Sequence, residues 1–236
     1  MHSKNDAGDQ KAGAKTSQRT FIEAARRRQI IDAAIEVIAE VGYAKLSFAK
    51  IGRRAKISPS LISYHFDDKR DLVSSLVEDI NNSLEQTLTA TAEGADSHRA
   101  AVRAVVEGFI RFADSHRGHL IALSQIASGT RDEATESPVV DSGVAVAEWE
   151  EQVLAGQRAG EFLPGDARAK ALCVHGALEF IPHEIYTNPD VDVDRLSREV
   201  ADNIERMLTG RSGPESATDH TDSEPPTDTT RKAERA

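Results

Sequence analysis

An all-α fold is predicted by three features of the sequence. Apolar residues recur at three- and four-residue steps along most of the chain. Serine, threonine and aspartate stand where these runs begin, as helix caps do. No segment sustains the alternation of a half-buried strand. The 236 residues suffice for one or two domains with a core.

The first helix is marked by Thr20-x-x-Glu23, which has capping-box spacing. Ile30, Ile31, Ala34, Ile35, Ile38 and Val41 carry it to a stop at Gly42. Arg26, Arg27 and Arg28 lie toward its front. Ser47 caps a short helix from Phe48 to Arg54. After the turn Ala55-Lys56-Ile57, Ser58 caps a second, with Pro59 at its first position and Phe66 at its end. Asp67-Asp68 opens a long helix carrying Leu72, Leu76, Ile80, Leu84 and Leu88. Further helices are expected near 98–114, 117–128, 140–160, 167–186 and 193–208, with Asp166 capping the fourth and Asp192 or Asp194 the fifth. Residues 1–18 and 211–236 offer almost nothing to bury and are expected to be disordered tails.

Composition narrows the function classes. One cysteine, Cys173, excludes an intrachain disulfide and a Cys-rich zinc site; within its apolar stretch it is expected to be buried. No run approaches 18 apolar residues, so no membrane span is expected, and the polar N-terminus lacks a signal-peptide core. A cytoplasmic location is the expectation. The net charge of −10 is unevenly spread. Residues 1–80 hold 14 Lys+Arg and 11 Asp+Glu; residues 81–236 hold 15 and 28. Between Lys15 and Phe66 the balance reaches +6. Such a basic end is either a solvated charged face or the footprint of a polyanion.

Two short helices joined by a tight turn and preceded by a basic helix form a helix-turn-helix pattern, although an ordinary helical hairpin would look similar. The pattern suits DNA. Helix N-termini offer backbone N–H groups to phosphate, and Lys and Arg release counterions. The second short helix carries Pro59, Ser60, Ser63 and Tyr64, which fit a groove.

Residues 24–84 resemble the N-terminal domain of the TetR family of bacterial transcriptional regulators. The resemblance rests on Arg28-Gln-Ile-Ile-Asp-Ala-Ala through Gly42-Tyr, on Ser47-Phe-Ala-Lys-Ile-Gly-Arg-Arg-Ala, and on Ile57-Ser-Pro-Ser-Leu-Ile-Ser-Tyr-His-Phe followed by Lys69-x-x-Leu72. It implies a helix-turn-helix over Ser47–Phe66 and a helical C-terminal domain that dimerises and binds an effector. Carried over by position, Ser47 contacts phosphate; Ser58, Pro59, Ser60, Leu61, Ser63 and Tyr64 form the reading surface; His65 lies near the DNA backbone; Lys69 binds phosphate. Two positions depart from the family pattern. Lys56 replaces the usual turn glycine, and Ser63 replaces the usual tyrosine, with Tyr64 one residue later. The expected organisation is a tail at 1–18, a DNA-binding domain at 19–84, an effector-binding and dimerisation domain at 85–210 and a tail at 211–236.

The acidic body is less explicit. His175, Glu179 and His183 lie four apart on one expected helix, which fits a polar helix interface, a pocket lining or, least well, a metal site. Pro182 should disturb that helix. Phe112, His116, His119, Trp149 and Phe180 are expected to converge with these three on one cavity for a small, mostly apolar molecule. Leu196, Val200, Ile204, Met207 and Leu208, with Leu172, Gly176 and Phe180 on the preceding helix, suit an antiparallel four-helix contact between two copies. The operator should then be roughly palindromic double-stranded DNA. No Gly-x-Ser-x-Gly, phosphate-binding glycine loop or Gly-x-Gly-x-x-Gly occurs, so no catalytic site, metal or cofactor is expected. The leading expectation is an effector-released repressor; the alternative is a helical enzyme or ligand carrier with an incidental basic face.

Overall fold

The computed structural model describes residues 6–130 and 142–210. Among them there are nine α-helices, one 3₁₀ turn and no strand. The helices are α1 (Asp6–Val41), α2 (Phe48–Ala55), α3 (Pro59–His65), α4 (Lys69–Ala92), α5 (His98–Ser115), α6 (Arg117–Thr130), α7 (Ser142–Arg158), α8 (Ala167–Thr187) and α9 (Val193–Thr209). The 3₁₀ turn, Tyr43–Lys45, joins α1 to α2.

The caps fall where the sequence places them. Ser47, Ser58, Asp68 and Asp166 each accept a hydrogen bond from the backbone N–H three residues on, and Asp192 rather than Asp194 caps α9. Each such bond satisfies a donor that the helix leaves open, worth about 1 kcal/mol.

The first helix does not begin at Thr20. It runs back to Asp6, so residues 6–18 are helical rather than a disordered tail. Ala, Lys and Gln make up much of that stretch, and their propensity favours a helix that continues back from Thr20. Residues 1–5 and the tail expected at 211–236 lie outside the described residues.

Ile30, Ala34 and Ile38 of α1 pack with Ile51, Ile62, Phe66, Leu72 and Leu76, all at most 1% exposed. The body packs around Val106, Ile110, Phe112, Ile126, Val153, Val174 and Ile185. Both sets belong to one continuous core. Helix α4 joins them: its first half carries Leu72, Leu76 and Ile80 into the N-terminal core, and α5 packs along it. The boundary expected at residue 84 therefore falls inside a helix. Helix α6 lies along α1, close enough that a Cβ on Gly118 would touch Ile35 and Ala39. Helix α8 continues through Pro182, which is buried among apolar neighbours.

Charge fastens α5 to α9. Glu205, 5% exposed, accepts from Arg103 Nε at 3.0 Å and pairs with Arg99. Arg103 also pairs with Glu107 at 3.0 Å and with Asp202.

Candidate nucleic-acid interface

Helix α3 divides cleanly. Ile62 and, just past its end, Phe66 are buried. Ser58, Pro59, Ser60, Ser63 and Tyr64 are exposed, Tyr64 at 66%. Leu61 is half-buried, so only part of it faces outward. Ser58 Oγ accepts from Leu61 N–H at 3.2 Å and lies 3.0 Å from Ser60 Oγ. Ser63 Oγ donates back to the Pro59 carbonyl at 3.3 Å. The Tyr64 and His65 rings meet edge to face at 5.1 Å. The outer edge thus offers small hydroxyls and one aromatic ring, groups that approach base edges without steric cost.

The turn before α3 is tight. Lys56 takes the left-handed conformation, φ 56° and ψ 43°. Its position usually favours glycine, so the departure is accommodated by strain and not by a reshaped turn. Ile57 N–H donates to the Gly52 carbonyl at 2.9 Å. A Cβ on Gly52 would lie 2.7 Å from the Ile57 carbonyl oxygen, so α2 can enter this turn only with glycine there.

Two residues of α1 fix the unit from behind. The Arg27 guanidinium donates to the His65 carbonyl at 2.5 Å and to Ser75 Oγ at 3.1 Å, and lies 4.2 Å from the Phe66 ring centroid. It ties α1, the end of α3 and α4 together. Gln29 Nε2 donates to the Ala55 carbonyl at the end of α2, at 2.9 Å. The sequence reading treated Arg27 only as charge. The overlooked signal is its position three and four residues before Ile30 and Ile31, on the buried stripe.

Ser47 is exposed at the start of α2, its hydroxyl 3.4 Å from Lys50 N. Lys69 is half-buried. Its ammonium donates to the Tyr43 carbonyl at 3.2 Å and sits 3.9 Å from the Tyr43 ring centroid. Lys69 is thereby held against the 3₁₀ turn.

The residues expected to line one cavity separate into three places. Phe112 is buried, with the His116 ring stacked on it at 4.3 Å and His119 edge-on to His116 at 4.9 Å. This cluster faces the junction with α1 and α4. Burial holds the His119 imidazole below its ordinary pKa, helped by His116 and Arg28 and opposed by Asp79. Arg28 pairs with Asp79 at 3.6 Å. Trp149 and His175 are half-buried, and His175 Nε2 is buried without a hydrogen-bond partner. Glu179, Phe180 and His183 are exposed, Phe180 at 75%, so they do not line an interior cavity with the others. On α8 the buried face is taken by Val174, Leu178, Ile181 and Ile185, and Glu179, Phe180 and His183 fall on other sides of the helix. Cys173 is exposed rather than buried for the same reason. Beside it stand Leu172, 53% exposed, and Gly176, where an added Cβ would meet nothing within 4 Å.

Comparison with known proteins bears on this arrangement. A family model described as bacterial regulatory proteins, tetR family, matches residues 30–76, the span from the α1 core into α4. An HTH-type transcriptional regulator BetI of Escherichia coli is 31% identical, with 45% of this chain and 64% of that protein covered. The chain thus spans just under two thirds of the curated relatives it matches. Among solved structures, a TetR-like regulator from Rhodococcus sp. RHA1 aligns with a TM-score of 0.64 at 19% identity, covering 80% of this chain and 98% of that one. FadR of Bacillus subtilis in complex with stearoyl-CoA aligns at 0.61 and 19%, covering 77% and 98%. At such identities these two likenesses concern the fold alone. Residues 30–76 of this chain are thus similar to the bacterial regulatory proteins of the tetR family.

Proposed function

We propose that the chain is a cytoplasmic, homodimeric transcriptional regulator that binds a roughly palindromic double-stranded DNA operator and releases it when a small molecule binds the body. Residues 19–84 read DNA, and residues 85–210 dimerise and take the effector. One observation carries the reading: an exposed row of Ser58, Pro59, Ser60, Ser63 and Tyr64 on a helix whose main chain is tied to α1 through Arg27. Ser47 and Lys69 contact phosphates, and His65 lies near the DNA backbone.

Dimerisation is supported by the outer face of α8. Leu172, Phe180 and Tyr186 are exposed there at 53%, 75% and 38%, an apolar row that a monomer would leave in water. Leu196, Val200 and Met207 of α9 are half-buried and extend the row, whereas Ile204 and Leu208 already belong to the protomer's own core. Effector binding is supported by the unpartnered His175 Nε2 and by the half-buried Trp149. A buried ring nitrogen without a partner is costly, and a ligand's polar group would satisfy it. Among the described residues no helix is long and apolar enough to cross a membrane.

The test is selection of duplexes from random sequence by the full chain, followed by titration across salt. The selected site should be palindromic and its Kd should rise steeply with salt. Tyr64→Ala should weaken the selected site by about 1–3 kcal/mol and leave random duplex nearly unchanged. Equal losses on both duplexes would sink the assignment of Tyr64 to reading. A monomer in sedimentation that still binds with full affinity would sink the dimer.

A further inference from the structure

We propose that Tyr43 is a positioning residue for DNA binding: it seats the Lys69 ammonium where that group meets a phosphate, and α6 of the body braces it there. The inference rests on the reading of Lys69 as a phosphate contact given above.

Gly42 ends α1 with φ 85° and ψ 154°, and the chain passes at once into the 3₁₀ turn. Tyr43, 8% exposed, opens that turn. Its carbonyl accepts from Leu46 N–H at 3.0 Å, which closes the turn, and from Lys69 Nζ at 3.2 Å. Its ring centroid lies 3.9 Å from the same ammonium. One residue thus offers a lone pair and a π-face to one cation, from 26 residues earlier in the chain. A lysine stem is flexible, so holding it beforehand removes an ordering cost from the encounter with DNA.

The stability of α4 gives no reason for a cation at this position. Lys69 is the first residue of α4, where the helix dipole is positive and disfavours an ammonium. Asp68 and Asp71 close by direct their carboxylates to the backbone N–H groups of Asp71 and Asp67. A phosphate, by contrast, is attracted both by the helix end and by the ammonium held there.

The body closes over the seat. A Cβ on Gly129 of α6 would meet Tyr43 Cδ1 at 2.5 Å, and one on Gly42 would come within 3.6 Å of Gln125 Oε1, also of α6. The ring therefore keeps its place only while α6 keeps its own, and the body acts on a phosphate contact through one side chain.

The experiment is a double-mutant cycle in the full chain on the selected operator, with Kd read by fluorescence anisotropy across salt. Lys69→Ala should weaken binding about tenfold at low salt and lower the log–log salt slope by about 1. Tyr43→Leu should weaken binding by the parent chain about threefold, yet add nothing in the Lys69→Ala background. Tyr43→Phe, which keeps the ring face, should recover the affinity that leucine loses. Gly129→Ala displaces the ring without removing it, and should repeat the pattern with and without Lys69 even where the leucine variant does not fold. Equal effects in the two backgrounds, from Tyr43→Leu or from Gly129→Ala, would make the role of Tyr43 structural and overturn the proposal. A Lys69→Ala chain with the parent's Kd and slope, on an operator that α3 still reads, would overturn the phosphate reading of Lys69 and the seat's role with it.

Discussion

The contact of α1 with the helix-turn-helix and the contact of α5 with α9 are both polar at their edges, but they are made differently. In the first, side chains reach main chain, Arg27 to the His65 carbonyl and Gln29 to the Ala55 carbonyl, beside the ion pairs of Arg54 with Glu36 and Glu40. In the second, side chains reach side chains: Arg103 and Arg99 to Glu205, and Arg103 to Asp202 and Glu107. A bond to a carbonyl fixes where the backbone runs, whatever residue stands there. A bond between charges fixes only the pair. The difference suits a domain whose helices must be held to one geometry and a body that has only to remain packed.

The largest effect should come from the core both contacts border. Phe66→Ala removes a ring that is 1% exposed and should cost about 3–5 kcal/mol of unfolding free energy in urea. Arg27→Ala comes next. It frees the His65 carbonyl and the face of Phe66, and should cost about 1–3 kcal/mol. It should also weaken DNA binding although Arg27 points inward; unchanged operator affinity would show that the main-chain tie does not position α3. Arg103→Met tests the other contact. It withdraws one of two guanidinium groups from the buried Glu205 and should destabilise by about 1–3 kcal/mol. Operator affinity at saturating dimer should stay constant, so a parallel loss of DNA binding would erase the contrast drawn above.

Smaller effects sharpen the picture. Lys56→Gly relieves a left-handed non-glycine residue and should stabilise the domain by about 0.5–1 kcal/mol, read as a raised Tm. The pH response of His119 should be smallest. Its folded-state pKa is depressed, so the unfolded chain binds more protons as pH falls through the ordinary histidine range. Stability should be full above about pH 7 and decline toward pH 5.5. His119→Asn should flatten that decline in thermal melts, whereas an unaltered profile would assign it elsewhere.

How much of this was legible beforehand follows from what each residue does. Ser47, Ser58 and Asp68 act on their own helices, three residues away, so spacing alone places them. The recognition motif is likewise local and short. Arg27 acts over 38 residues of sequence and Gln29 over 26, and no local spacing encodes such partners. In the body, the periodicity of α8 identifies a helix but leaves its rotation open. Glu179 and Phe180 were therefore assigned to the interior, although Leu178 and Ile181 occupy that side. The start of α1 was missed for a different reason: the capping box at Thr20 is a permitted beginning, not a required one, when alanine and lysine precede it.

Tyr43 has a consequence for which sequences this fold tolerates. Its ring is the neighbour that a Cβ on Gly129 of α6 would strike at 2.5 Å, and the same ring lies beneath the Lys69 ammonium. Bulk at position 129 and an aromatic ring at position 43 are thus mutually exclusive while α6 keeps its present place. Relatives that carry a side chain at 129 must shrink residue 43, which would strip Lys69 of its seat, or move α6 outward along α1. The three positions belong to three separate segments of the chain, yet Tyr43 couples them sterically, so a change at one alters the room or the support at the others.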